Sequence, residues 1–212
     1  MMPAVFKAIA YLTHPLFLCF YLLLFWLWLD PFSFGYQSYT DAFLLLFYTL
    51  IITVVLPGLA LIMMKKLQLI TSLNMSNHTD RVIPLIVCAV FYFWYYINSR
   101  SNPELPLYYK YLVFSVTLLL ASVFIISIFF KVSLHTSAWG LMFAYGLIVL
   151  KKSELFIGKT NLSLFIFVLI VLLISGLVGS ARIAVKAHTL QEVLIGYGLG
   201  GCVSFIGFLI YY

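Results

Sequence analysis

Residues 111–130 read YLVFSVTLLLASVFIISIFF, a run of twenty positions without a charged side chain. An α-helix needs about 20 apolar residues to cross the hydrocarbon core of a bilayer, so this run predicts a transmembrane helix. Shorter stretches can span by drawing on flanking residues or by thinning the bilayer locally. Comparable charge-free stretches cover approximately residues 12–29, 42–64, 82–97, 136–150, 162–178 and 193–212. The pattern predicts six to seven membrane spans.

The composition excludes a soluble protein. Of the 212 residues, 65% are hydrophobic and only 8% are charged, a balance that a water-soluble domain could not keep without large exposed apolar patches. The longest connecting segment runs from Lys65 to Arg81, and the first span lacks a basic leader, so we expect it to be retained. We therefore predict an all-α, polytopic transmembrane helical bundle that forms a single domain over residues 1–212.

The net charge of +6 arises from 12 basic and 6 acidic residues. The basic residues stand singly or in pairs at span ends, where they suit anionic lipid head groups. This distribution predicts membrane lipids as partners and no nucleic acid. It leaves the oligomeric state open.

One polar cluster stands out near the C-terminus, where Arg182, His188 and Glu192 fall within eleven residues. Ionisable side chains at membrane depth are costly, so such a cluster is a functional-site hypothesis by default. His188 and Glu192 are four apart, and they share one helix face if a helix begins near Thr189 or slightly earlier. The carboxylate could then orient and charge-stabilise the imidazole.

Counting spans predicts that distant polar groups meet. Two spans separate successive polar clusters, and an even number of spans returns the chain to the same side. A pocket rich in cations and hydrogen-bond donors at that face would suit a tetrahedral phosphate dianion. The residues expected there are Arg81, Lys131, Ser133, His135, Arg182, His188 and Glu192.

These residues resemble the type 2 phosphatidic acid phosphatase superfamily of integral-membrane lipid phosphatases. The third motif of that family reads Ser-Arg, five residues, His, three residues, Asp. This chain has Ala181-Arg182, five residues, His188, three residues and Glu192, followed by Gly196 and Gly200. The resemblance is strongest over about residues 131–200 and implies a phosphatase-like domain.

The other two motifs are less complete. The second, Pro-Ser-Gly-His, is matched by Val132-Ser133-Leu134-His135, which keeps only Ser and His. The first, Lys, six residues, Arg-Pro, is poorly met, because Asn74 stands at the Lys position relative to Arg81 and the nearest proline is Pro84. We offer the hypothesis that Lys131 supplies the missing cation.

The resemblance implies a metal-independent phosphoric ester or diphosphate hydrolase without an organic cofactor. His188 would attack phosphorus to give a phosphohistidine, Glu192 would hold the attacking tautomer, and His135 would protonate the leaving group. The phosphoryl oxygens would be bound by Arg81, Lys131, Arg182 and Ser133.

The substrate would be a lipid phosphate that enters sideways between helices: a polyprenyl diphosphate, phosphatidic acid, phosphatidylglycerophosphate or a lipid A phosphate. The short loops favour a bacterial inner membrane. The resemblance favours a site that faces the periplasm.

Three alternatives accompany this interpretation. His188 and Glu192 could form a purely structural pair, and the degraded first motif is compatible with a catalytically inactive relative that binds or transports lipid. His135, His188 and Glu192 could also ligate a metal, although the neighbouring Arg182 disfavours a second cation. His14 and His78 have no motif partner, so we expect packing or interfacial roles for them.

Overall fold

The computed structural model describes residues 2–35, 38–72, 79–152 and 162–212. These residues form helices and connecting turns, with no β-strand among them, so the predicted all-α class is confirmed. The α-helices of the described ranges are α1 (Met2–Leu12), α2 (Leu18–Leu29), α3 (Tyr39–Leu50), α4 (Leu56–Lys66), α5 (Thr79–Ser101), α6 (Leu107–Phe129), α7 (Leu134–Lys151), α8 (Leu162–Ala184) and α9 (Leu190–Tyr211).

Six helical segments within the described ranges are long and apolar enough to cross a membrane, and the chain is an integral membrane protein. They are Ala8–Leu29, Thr40–Lys66, Arg81–Ser101, Leu107–Phe129, Leu162–Ala184 and Leu190–Tyr211. The stretch 136–150, the seventh predicted span, falls in α7, whose polar first turn lowers its hydropathy. The 18 residues of α7 extend for about 27 Å at a rise of about 1.5 Å per residue.

The chain forms two compact units. The first contains Met1–Leu18 and Val132–Tyr212, and the second contains Cys19–Lys131. Helices α1, α7, α8 and α9 therefore belong to the first unit, together with most of the residues singled out from the sequence.

The first predicted span is interrupted at its start. Helix α1 ends at Leu12, a single 3-10 turn covers Pro15–Phe17, and α2 begins at Leu18. Pro15 has no backbone N–H and disfavours helical backbone in the residue before it. Accordingly His14 has an extended backbone, with φ of −64° and ψ of 135°.

Glycines bring α7 and α9 into close contact in the first unit. A Cβ atom at Gly196 would collide with the side chain of Thr136, and one at Gly200 would collide with the carbonyl oxygen of Ser137 and lie 2.5 Å from the backbone nitrogen of Leu141. Residues further along α9 therefore contact residues further along α7. The two helices run parallel, and their N-termini lie at the same end of the unit.

Helix α8 runs antiparallel to α7. The hydroxyl of Ser175 donates to the carbonyl oxygen of Trp139 at 3.4 Å, while Gly146, further along α7, packs against Val168, earlier in α8. The C-terminal end of α8, which carries Arg182, therefore lies at the same end of the unit as the N-termini of α7 and α9.

The second unit has a buried hydroxyl network at its centre. The hydroxyl of Tyr95 lies 2.7 Å from those of both Thr49 and Tyr109, which satisfies three polar groups inside an apolar bundle.

The second predicted span consists of α3 and α4, which are joined by a π-helical turn, Ile51–Val55, just before Pro57. Such a turn accommodates the hydrogen bond that proline cannot donate.

We predict that Gly200→Ala destabilises the first unit, because the added methyl group meets the backbone of α7. Overpacking of this kind costs about 1–3 kcal/mol, so the melting temperature of the purified protein in detergent should fall by several degrees. Gly198→Ala is the matched control, since a Cβ there meets nothing within 4 Å. Equal melting temperatures for the two variants would contradict the close contact of α7 and α9.

Candidate functional site

His188 and Glu192 form the closest polar pair at this end of the first unit. Nδ1 of His188 lies 2.6 Å from Oε2 of Glu192, and His188 is only 8% exposed. A carboxylate can only accept a hydrogen bond, so Nδ1 carries the hydrogen in this pair. In the neutral imidazole Nε2 then bears the lone pair, which is the form a nucleophilic histidine requires.

The pair forms even though His188 lies outside the helix. Helix α9 begins at Leu190, and the side chain of Thr189 caps it by accepting the N–H of Glu192 at 3.3 Å. His188 therefore stands just before the cap, and its neighbour in the pair stands in the first turn. The positive end of the helix dipole and the first N–H groups of α9 point towards this region, as at many anion sites.

A tight turn connects Arg182 to His188. The carbonyl oxygen of Arg182 accepts the N–H of Ala187 at 3.1 Å, and that of Ile183 accepts the N–H of Lys186 at 2.9 Å. This is the Schellman arrangement that ends a helix, with a left-handed residue after the cap. Lys186 occupies that position with φ of 54°, where glycine is usual. The turn fixes the short path between the arginine and the histidine.

His135 lies in the first turn of α7 and is tied to α1. Its Nε2 lies 3.1 Å from the carbonyl oxygen of Ala10, so this nitrogen is the donor. Burial lowers the pKa of His135 well below its usual range, and the positive charge of Arg182 acts in the same direction. The ring is therefore neutral at neutral pH.

A third imidazole, that of His14, packs against His135. The ring centroids are 5.2 Å apart and the ring planes are nearly perpendicular, at 85°. The half-buried Arg182 is close enough to both rings for its positive charge to interact with them. The structure thus brings the rings of His14 and His135 into contact, and it places Arg182 and His188 at the same end of the first unit.

Ser133 has a clear structural task. It is completely buried, and its hydroxyl oxygen caps α7 by accepting the N–H of Thr136 at 3.5 Å. Its carbonyl oxygen accepts hydrogen bonds from the hydroxyls of Thr136 and Ser137 at 3.1 and 3.0 Å. Contact of Ser133 with a phosphoryl group stays a prediction.

Two of the expected phosphate-binding residues belong to the second unit. Arg81 lies in α5 and is half-buried, and Lys131 is the last residue of that unit and is exposed. Their roles stay predictions. Asn74, which stands at the first-motif lysine position, and His78 lie outside the described residues.

The proposed metal ligands do not form a metal-binding group. Within the described ranges, no three His, Cys, Asp or Glu side chains are arranged to hold a metal ion. His135, His188 and Glu192, the ligands considered from the sequence, are therefore not arranged as a metal site.

The sequence predicted only a packing or interfacial role for His14. The one local signal was its place immediately before Pro15 inside an apolar run, which marks a break in the helix. That signal gives no indication that the break lies beside His135, because the two residues are 121 positions apart.

Comparisons with protein-family models, with curated proteins and with solved structures found no match to this chain.

We predict that Lys186→Gly stabilises the protein by about 1 kcal/mol, because glycine adopts a left-handed backbone without the Cβ clash of other residues. Thermal unfolding in detergent should show the gain. Lys186→Ala removes the same charge but keeps Cβ, so it should show none. If both variants shift the melting temperature equally, charge and not backbone conformation explains the effect.

Proposed function

We propose that the protein is a membrane lipid phosphatase that hydrolyses a phosphate monoester or diphosphate ester through a phosphohistidine intermediate. The observation that carries this proposal is the pair of His188 and Glu192 placed beside Arg182 and His135, where the N-termini of α7 and α9 meet the C-terminal end of α8. The resemblance of the three motif segments to lipid phosphatases supports the same activity.

In the first step Nε2 of His188 attacks phosphorus, a P–N bond forms, and the bond from phosphorus to the leaving oxygen breaks. Glu192 holds Nδ1–H and stabilises the positive charge that develops on the ring. In the second step water attacks the phosphohistidine and its proton passes to His135, which has already given a proton to the leaving oxygen. The P–N bond then breaks, and inorganic phosphate leaves. Arg182 and the helix N-termini stabilise the negative charge on the phosphoryl oxygens in both steps.

His135 is the proposed acid that protonates the leaving oxygen. Its Nε2 donates to Ala10, so Nδ1 is the atom that would exchange a proton with the substrate. Burial and the positive charge of Arg182 both lower the pKa of this ring, so it is neutral before substrate binds. A bound phosphoryl dianion acts in the opposite direction and raises the affinity of the ring for a proton, so the acid would form only with substrate present.

In this proposal Arg81, Lys131 and Ser133 also bind the phosphoryl group, and Lys131 takes the place of the lysine of the first motif. The reaction needs no metal or organic cofactor, since Arg182 and the helix ends supply the positive charge. We place the protein in a bacterial inner membrane with its site on the periplasmic side, and we take its substrate from the polyprenyl diphosphate, phosphatidic acid, phosphatidylglycerophosphate and lipid A phosphate classes.

A catalytically inactive relative that binds lipid is the second candidate. It is favoured by the poor match to the first motif, where Asn74 stands at the lysine position. Release of inorganic phosphate decides between the two candidates.

We predict that the purified protein releases phosphate from at least one of these lipids, and that His188→Ala abolishes turnover because the nucleophile is lost. Glu192→Gln and His135→Ala should lower kcat by roughly 100 to 10,000-fold, the range expected for loss of an orienting carboxylate or a general acid. A phosphate-release assay over the four lipid classes measures all three.

Gln191→Ala, an exposed change next to Glu192, is the control and should keep full activity. Vanadate should inhibit the enzyme and a chelator should not, whereas a metal hydrolase would lose activity with the chelator. Turnover that survives His188→Ala would refute the phosphohistidine mechanism.

An apolar groove supports a lipid as the substrate. A groove of about 410 Å³ lies between α7, α8 and α9 and is lined by Gly140, Leu147, Leu172 and Gly176 among others. It begins five residues along α7 from His135, which is roughly 8 Å at the rise of an α-helix. A hydrocarbon chain attached to a phosphate at the candidate site could follow this groove into the membrane.

We predict that Gly176→Leu lowers kcat/KM for a long-chain lipid phosphate by roughly tenfold, because the side chain displaces about two methylene groups at about 0.8 kcal/mol each. A water-soluble short-chain ester should be hydrolysed as before. A Cβ at Gly176 meets nothing within 4 Å, so the variant should fold.

Gly198→Leu is the matched control, because Gly198 is equally open but lies outside the groove lining. Equal losses on the long and the short ester would show that the groove does not hold the lipid chain.

A further inference from the structure

His14 is fixed in one tautomer by its own turn. The N–H of Leu16 donates to Nδ1 of His14 at 3.3 Å, at the start of the 3-10 turn that follows Pro15. Nδ1 is therefore an acceptor, and in the neutral ring the hydrogen lies on Nε2. The side chain thus carries a hydrogen-bond donor at its far end.

The segment that carries His14 is attached to α7 at two points. The carbonyl oxygen of Ala10 accepts from Nε2 of His135 at 3.1 Å, and that of Thr13 accepts from Nε1 of Trp139 at 3.0 Å. These bonds hold the end of α1 against the first turns of α7. The His14 ring then packs edge to face with the ring of His135, at 5.2 Å.

The surroundings of His14 suit an anion. Arg182 is near enough for its charge to interact with both the His14 and the His135 rings, and the carboxylate of Glu192 is bonded to His188. The guanidinium beside the two imidazoles would repel a bound cation. A phosphoryl group with several acceptor oxygens complements this set.

We propose that His14 is a phosphate-binding residue, which donates Nε2–H to a non-bridging phosphoryl oxygen beside His135. This assignment rests on the proposed function and deepens it. It places a donor from the N-terminal segment in a site whose other described members come from α7, α8 and the start of α9. It also adds a hydrogen-bond donor to the phosphate in a chain whose first motif has Asn74 in place of the charged lysine.

Two substitutions separate the two nitrogens of His14. In His14→Asn the side-chain oxygen can still accept the N–H of Leu16, but the donor at the far end of the ring is lost. In His14→Gln the amide N–H₂ can reach the position of Nε2, but the cap on Leu16 is lost. The full-length protein, purified in detergent, is used for both.

Binding is measured with orthovanadate, as the vanadate-dependent rise in melting temperature, which reports the dissociation constant without requiring turnover. We expect His14→Asn to keep the melting temperature of the unliganded protein and to weaken vanadate binding about tenfold, as expected for the loss of roughly one hydrogen bond to a charged group. His14→Gln should show the reverse, with lower stability and vanadate affinity close to that of the wild type.

Trp139→Phe is the control for attachment alone, since it removes the bond from α7 to Thr13, just after α1, and no phosphate donor. It should leave vanadate affinity unchanged. If His14→Asn binds vanadate as the wild type does, or if Trp139→Phe weakens binding as much as His14→Asn, the proposal is overturned and His14 is structural.

Phosphate release separates this proposal from the proposed function. A wild type that turns over lipid phosphate, together with a His14→Asn variant of normal vanadate affinity, would overturn the role of His14 alone. A wild type that binds vanadate with the expected Asn and Gln pattern but releases no phosphate would overturn the hydrolase function and support the binding role. A wild type that neither binds vanadate nor releases phosphate would overturn both.

Discussion

The close parallel contact of α7 and α9 is the constraint on which the candidate site depends. A helix pair can approach this closely only where side chains are absent, and in apolar surroundings small residues are the usual means. Gly196 and Gly200 provide that space against Ser137 and its neighbours. Because the helices are parallel, the same contact that stabilises the unit also brings the start of α7, with His135, to the same end as the start of α9, with Glu192.

This arrangement has an electrostatic consequence. Two parallel helices present two positive dipole ends at one place, and the C-terminal end of α8 adds the guanidinium of Arg182 in the same region. In a medium of low dielectric these contributions are stronger than in water. The carboxylate of Glu192 and the negative end of the α8 dipole lie in the same region and offset part of this positive charge.

The sequence was sufficient to predict the helical membrane fold, because runs such as 111–130 have one stable solution in a bilayer. It was also sufficient to single out Arg182, His188 and Glu192, whose relation depends on local spacing. It did not predict the contact between His14 and His135, which depends on how α1 packs in the first unit. The division into two units was equally inaccessible, because hydropathy reports the surroundings of a helix and not its partners. The sequence likewise could not predict where Arg81 and Lys131 lie relative to the site.

The side chain of Glu192 makes its contact across the start of the helix. The family motif that this segment resembles has an aspartate at that position, whose side chain is one methylene group shorter. In this chain α9 starts at Leu190 and His188 precedes the capping Thr189, so the carboxylate must reach back past the cap to the imidazole. The longer side chain does so with a separation of 2.6 Å, while the N–H of the same residue is bonded to the Thr189 hydroxyl. One residue therefore closes the helix start through its backbone and fixes the histidine tautomer through its side chain, which links the stability of this helix end to the tautomer of His188.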